Sequence, residues 1–202
     1  MEFAISILKE YPKWDSLSVI KLTAFPYEKE GFKPFSQARI CFVQDKGMYA
    51  RLWAFDVDPI TASTPQTLFE GNALVLQLAP GQDASAPYLE IAANAGGVFT
   101  FCTARGQTTL TQGAPAGFTL KEFTGEDLQG EYWGWEVFVP LACFRSLDPS
   151  FSIQEHQPLR GNLLKVCLDA RYKHIGSYNA LTCPFGVLRS PQDFAPVVLA
   201  GY

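Results

Sequence analysis

The feature that most constrains this fold is the alternation of apolar and other residues along many short stretches. Successive side chains of a β-strand point to opposite faces, so such alternation is typical of strands. Glycine, proline and small polar residues separate the stretches and predict turns. Helical spacing is confined to residues 141–147, where we expect a short helical turn. The pattern predicts an all-β protein, either a sandwich or a barrel.

Length, composition and charge agree with this prediction and exclude some partners. Aromatic residues make up 14% of the 202 residues, and they pack well on pleated surfaces. We see no repeat and no linker, which predicts a single domain over residues 1–202. The net charge is −4. The sequence contains neither a basic patch that would bind nucleic acid nor a run of like charges that would bind a membrane surface.

The N-terminal segment and the cysteines bear on localisation. A short apolar run follows Glu2 rather than a basic region, which favours a first strand over a signal peptide. The five cysteines are odd in number, and no Cys-x-x-Cys pair is present. We therefore predict free thiols, no disulfide and no zinc site. The expected location is cytoplasmic, and an extracellular location stays open.

Two alternating stretches carry large aromatic residues that suit either a sugar platform or a protein core. In residues 133–141, Trp133 and Trp135 share one face with two valines, and this apolar face predicts a core position. In residues 48–55, Arg51 and Trp53 share a face with Tyr49. An open face there would form a shallow sugar platform, and a covered face would form core.

Six stretches, in order over residues 36–199, resemble the family-9 carbohydrate-binding modules and their relatives, a β-sandwich group related to DOMON domains. The resemblance implies an antiparallel two-sheet β-sandwich and a non-catalytic carbohydrate-binding role. The stretches are ARICFVQDKGMYARLWAFDVDP, LFEGNALVLQLAP, YLEIAANAGGVF, WGWEVFVPLACF, RGNLLKVCLD and LRSPQDFAPVVL.

Binding members of this family clamp a chain-end sugar between two tryptophans, and polar side chains reach the hydroxyl groups of the sugar. Most of the corresponding positions in this chain carry apolar residues, so the resemblance implies a largely replaced clamp. The two tryptophan positions, the carboxylate, the arginine and the late polar position correspond to Phe69, Leu188, Val75, Ala92, and Leu164 or Lys165.

Several residues remain candidates for contact with a mono- or oligosaccharide. Phe69 can stack on a sugar or can belong to the sandwich as a strand-entry residue. Arg189 matches the arginine that follows the second clamp tryptophan, and alternatively holds the closing loop through a carboxylate such as Asp193. Tyr178 lies near a loop, where binding residues concentrate. The candidate ligand-binding residues are Phe69, Tyr178, Arg189, Trp53, Arg51 and Lys165.

Catalytic and cofactor sites have little support in the sequence. Asp56 and Asp58 could bind calcium, but two carboxylates are fewer than a calcium site needs. Cys167 and His174 could form a nucleophile pair, although no motif joins them. We predict neither an enzyme nor a cofactor.

Three functional hypotheses therefore stay open. The first is a carbohydrate-binding protein with an altered ligand. The second is a protein-interaction or scaffold domain that has lost sugar binding. The third, an enzyme acting on glycosides, lacks a sequence motif.

Overall fold

The computed structural model describes residues 3–28, 31, 33–56 and 58–201. Within these residues, the chain forms thirteen β-strands, one α-helix and three short 3-10 helices, of which Pro65–Glu70 matters below. The strands and the helix are β1 Phe3–Leu8, β2 Ile20–Leu22, β3 Ser36–Val43, β4 Gly47–Ala54, β5 Ala73–Pro80, β6 Tyr88–Asn94, β7 Phe99–Arg105, β8 Thr108–Gln112, β9 Thr119–Asp127, β10 Gly130–Pro140, α1 Leu141–Leu147, β11 Pro158–Cys167, β12 His174–Ser177 and β13 Ala195–Gly201.

The strands form one hydrogen-bonded path that curls on itself. Its order is β8-β7-β6-β5-β11-β13-β1-β3-β4-β10-β9, with β12 beside β11 and β2 beside β3. The β-rich class is confirmed. The expected division into two antiparallel sheets is not confirmed. The described strands belong to one mixed sheet, because β1 runs parallel to both β13 and β3. Apolar alternation carries no information on strand direction, so the sequence pattern could not reveal these two parallel pairs.

The main core fills the space enclosed by the curled sheet. Trp133 and Trp135 on β10 have exposed fractions of 3% and 0% and belong to this core, as predicted. They are joined by the alternate residues of β4, such as Leu52, which pairs with Trp135 across the strands. Helix α1 forms at residues 141–147, and its Phe144 ring packs against Phe42 at a centroid distance of 5.1 Å.

Strands β5, β6 and β11 are buried on both faces. One face contributes leucines to the main core, and the opposite face is covered by the 3-10 helix Pro65–Glu70 and by residues 181–188. We call the apolar group on this opposite face the outer cluster. It consists of Leu68, Ala73, Val75, Ala92, Leu164, Val166, Ile175 and Leu181, with Tyr27, Phe69, Val98, Leu168, Cys183, Phe185 and Leu188 packed against it.

Two further properties concern the whole of the described chain. All five cysteines carry free thiols, and four of them are buried. Among the described residues, no helix has the length and apolar character needed to span a membrane.

Candidate ligand-binding site

The outer cluster brings together the positions that the sequence resemblance matches to the family-9 sugar clamp. Leu164, Val75 and Ala92 lie side by side on three neighbouring strands, because Leu164 pairs with Val75 and Val75 pairs with Ala92. Phe69 and Leu188 pack against the same cluster from the covering segments. The row of three is fully buried, so the floor of this site is apolar and closed.

A shallow pocket of about 270 Å³ remains at the rim of the outer cluster. Phe69 and Leu188 form part of its wall, and the charged pair of Glu90 and Arg189 forms another part. The exposed Gln107, from the turn between β7 and β8, completes the polar side. The pocket therefore combines one aromatic ring with a few polar groups.

Arg189 is held in place by a network of hydrogen bonds. Its Nη2 and Nε atoms donate to Glu90 Oε1 over 2.8 and 3.0 Å, and Nη1 donates to Thr109 Oγ1 over 2.7 Å. Burial lowers the pKa of Arg189, but the hydrogen bond to Glu90 and the Glu90 charge, with smaller contributions from Cys102 and Tyr88, together outweigh burial and raise the pKa above its ordinary value. The alternative that Arg189 holds the closing loop through Asp193 was wrong, because Asp193 accepts hydrogen bonds from Thr182 and Ser190 instead.

Glu90 and its neighbour Gln77 are polar residues of this region that the sequence analysis did not assign to a site. Gln77 Nε2 donates to Glu90 Oε2 over 2.8 Å and to the Leu188 carbonyl over 3.0 Å. Both side chains are almost completely buried. Each is the one polar residue inside an otherwise apolar stretch, ALVLQLAP or YLEIAA. That pattern could have identified them, since buried polar groups need partners.

The other sequence-predicted residues lie away from this pocket. Tyr178 packs against the Phe3 ring at 4.8 Å, beside the main core. The Arg51 guanidinium lies 4.3 Å from the Phe123 ring centroid and also contacts Trp14. Trp53 is buried, with 9% of its surface exposed. The face of Arg51 and Trp53 is thus largely covered and is no open platform, yet it lies outside the main core.

Lys165 points to the opposite face of β11 from Leu164, so Leu164 is the one of the two that shares a face with Val75. Its Nζ atom is fully buried and donates to Asp56 Oδ2 over 2.8 Å, and also to Asn72 Oδ1. His174 Nε2 lies 3.1 Å from Nζ. Trp133 Nε1 donates to the same Asp56 oxygen over 3.3 Å. We call these five residues the Lys165 cluster.

Hydrogen bonding defines the protonation state of this cluster. His174 Nδ1 lies 2.6 Å from the Tyr172 carbonyl, so Nδ1 carries the proton and Nε2 accepts from Lys165. Burial and the Lys165 charge lower the pKa of His174 to about 4. Burial also lowers the pKa of Lys165, and the Asp56 charge opposes this effect.

The same geometry bears on the proposed nucleophile and calcium sites. Cys167 pairs with His174 across β11 and β12, but both imidazole nitrogens are engaged elsewhere. Burial raises the pKa of the Cys167 thiol. Asp56 binds Lys165, and Asp58 is exposed. In the described part of the chain, no three His, Cys, Asp or Glu side chains are grouped as metal ligands.

Solved structures resemble this chain over its whole length. A candidate carbohydrate-binding protein from Bacteroides uniformis has a TM-score of 0.76 and 14% identity, over 98% of this chain and 99% of that one. A family-9 carbohydrate-binding module from Caldicellulosiruptor kristjanssonii, in complex with glucose, has a TM-score of 0.68 and 13% identity, over 100% and 97%. Its complex with cellotriose gives 0.64 and 13%, over 100% and 95%.

This chain has the fold of the family-9 carbohydrate-binding modules. The likeness at 13–14% identity concerns the fold alone. No model of a known protein family matches the sequence, and no curated protein matches it. The fold agrees with the resemblance seen in the six sequence stretches.

Proposed function

We propose that this chain is a non-catalytic carbohydrate-binding protein that holds one sugar unit in the pocket beside Phe69. The observation that supports it is the meeting of Phe69, Glu90 and Arg189 around one pocket on the clamp face. Ligand sites combine an apolar wall with a few oriented polar groups, as this pocket does. Phe69 offers a ring for the apolar face of a pyranose.

The size of the pocket limits the ligand. Its volume of about 270 Å³ is close to the lower end of the range for small-molecule sites, about 300–1,000 Å³. A monosaccharide or the end unit of an oligosaccharide fits this volume better than a longer chain does. Arg189 has its donors committed to Glu90 and Thr109, so it would position the Glu90 carboxylate and shape the wall.

A second candidate function is a protein-interaction or scaffold domain without sugar binding. It is favoured by the apolar residues Val75, Ala92 and Leu164, which stand where the family has polar groups. These three residues are fully buried, and Leu188 packs over them. Because these three side chains are apolar, they cannot form hydrogen bonds with sugar hydroxyls.

Calorimetric titration with a panel of mono- and oligosaccharides separates the two functions. We expect the parent protein to bind at least one sugar in the Phe69 pocket, and we expect Phe69→Ala to lose that one binding event. The matched control is Phe99→Ala, which removes a partly exposed ring that packs on Phe118 rather than at the pocket. A binding stoichiometry and affinity that Phe69→Ala leaves unchanged for every sugar of the panel would contradict the assigned site. A complete absence of sugar binding would favour the scaffold function.

A further inference from the structure

A second and larger cleft lies next to the Lys165 cluster, at the opposite face of β11 from the Phe69 pocket. Its volume is about 550 Å³, within the range of small-molecule sites. Among the described residues, Phe35 and Phe55 provide aromatic lining, with ring centroids 5.4 Å apart. Asp56 and Asn72 form both a wall of this cleft and the partners of Lys165.

Asp56 presents an oxygen that the protein leaves unsatisfied. Its Oδ2 atom accepts from Lys165 and Trp133, whereas Oδ1 is buried and has no hydrogen-bond partner among the described residues. The Asp56 side chain is only 6% exposed. A buried acceptor without a partner destabilises the folded state, so native proteins rarely retain one without a reason. An occupant of the adjoining cleft that donates a hydrogen bond would remove this cost.

The charges around the cleft favour a neutral donor over a cation. Asp56 is already balanced by the Lys165 ammonium at 2.8 Å. Asp58 and Lys33, both exposed, also line the cleft with opposite charges. Because the two carboxylates and two ammonium groups cancel, a cationic ligand would gain little net attraction. A hydroxyl group supplies the missing donor without adding charge.

We propose that this cleft binds a small neutral polyhydroxylated ligand, of the size of a monosaccharide or cyclic polyol. One hydroxyl donates to Asp56 Oδ1, and the apolar face of the ligand lies against Phe55. Lys165 is a positioning residue, because it fixes the Asp56 carboxylate and the Asn72 amide without lining the cleft itself. This site does not depend on the function proposed for the Phe69 pocket.

The indole N–H of Trp133 provides a direct readout, because it donates to the Asp56 carboxylate. In a ¹⁵N-labelled sample with assigned indole signals, we would titrate D-glucose, D-mannose and myo-inositol separately. A ligand at Asp56 Oδ1 polarises the carboxylate and shifts the Trp133 signal. We expect a saturable shift with at least one of these probes. An occupant of the Phe69 pocket lies on the other face of β11 and leaves this signal unchanged.

Variants of the exposed turn between β9 and β10 locate the ligand without disturbing the buried cluster. Gln129→Trp places a large ring at the cleft wall, and we expect binding at least about tenfold weaker. Leu128→Trp is the matched control, because Leu128 is fully exposed and is not among the described residues that line the cleft. We expect this variant to bind as the parent does. Thermal melts of both variants check that they fold.

Three results would overturn the proposal. The first is the absence of a Trp133 shift with all three probes, which would leave water as the partner of Asp56 Oδ1. The second is an unchanged shift in Gln129→Trp, which would place the ligand elsewhere. The third is a shift with calcium chloride or ethanolamine and none with the polyols, which would assign the cleft to cations. Phe69→Ala leaves all three readouts unaffected, so the two proposed sites can fail separately.

Discussion

Neighbouring residues on β11 face two regions with opposite chemistry. Leu164 faces the outer cluster, where the clamp positions are apolar and the remaining pocket is small. Lys165 faces the interior, where polar side chains are buried beside a cleft of about 550 Å³. Two faces of one strand therefore carry opposite chemistry, one apolar and closed and the other polar beside a cleft.

The largest effect is expected from the apolar interior. Trp135→Ala should lower the free energy of unfolding by about 3–5 kcal/mol, because Trp135 is fully buried in the main core. Chemical denaturation measures the loss, and Leu128→Ala at a fully exposed position is the control. A Trp135→Ala protein that melts like the parent but no longer binds a sugar would reverse the assignment of this face.

Substitutions in the Lys165 cluster should lower the free energy of unfolding almost as strongly. Asp56→Ala leaves the Lys165 ammonium buried without its counter-charge, at a cost of about 3 kcal/mol. This is the lower end of the range for such losses, because Lys165 can respond by releasing its proton. The double variant Asp56→Asn with Lys165→Met should lose clearly less stability. If urea denaturation gives equal losses for Asp56→Ala and for the double variant, packing rather than charge pairing determines the stability of the Lys165 cluster.

A smaller effect should appear as a pH dependence of stability. The pKa of His174 is about 4 in the folded protein and about 6.5 in the unfolded chain. The unfolded state therefore binds more protons below pH 6.5, and stability falls as the pH drops towards 4, by at most about 1.4 kcal/mol per unit.

His174→Gln isolates this contribution, because it keeps an acceptor for Lys165 and removes the titration. Urea denaturation of both proteins between pH 7 and 4 should give a shallower fall for the variant. Parallel curves would mean that carboxylates, and not His174, govern the acid sensitivity.

The smallest effect is expected at the outer cluster. Phe69→Ala removes a half-buried ring and should cost about 1 kcal/mol of stability. A thermal melt measures it. A loss as large as that of Trp135→Ala would show that Phe69 is part of the scaffold and would weaken its assignment as a stacking residue.

The sequence predicted the local structure well. The alternation of β10 places both tryptophans in the core, and α1 covers residues 141–147, as expected. Each of these depends on neighbours in the sequence or on a period of two. Less was predictable for the site, because the pairing of Arg189 with Glu90 joins residues 99 positions apart.

Which side chains share a face of a strand follows from the sequence alone, because alternation is a property of the extended backbone. The sequence therefore placed Leu164 and Lys165 on opposite faces, although it left open which of them joins the clamp positions. The tertiary structure decided that point through the register of β11 with β5 and β12. It also decided that Lys165 meets Asp56, Asn72 and His174. Such contacts join distant segments, and burial made pairing necessary since an isolated charge is too costly inside a protein.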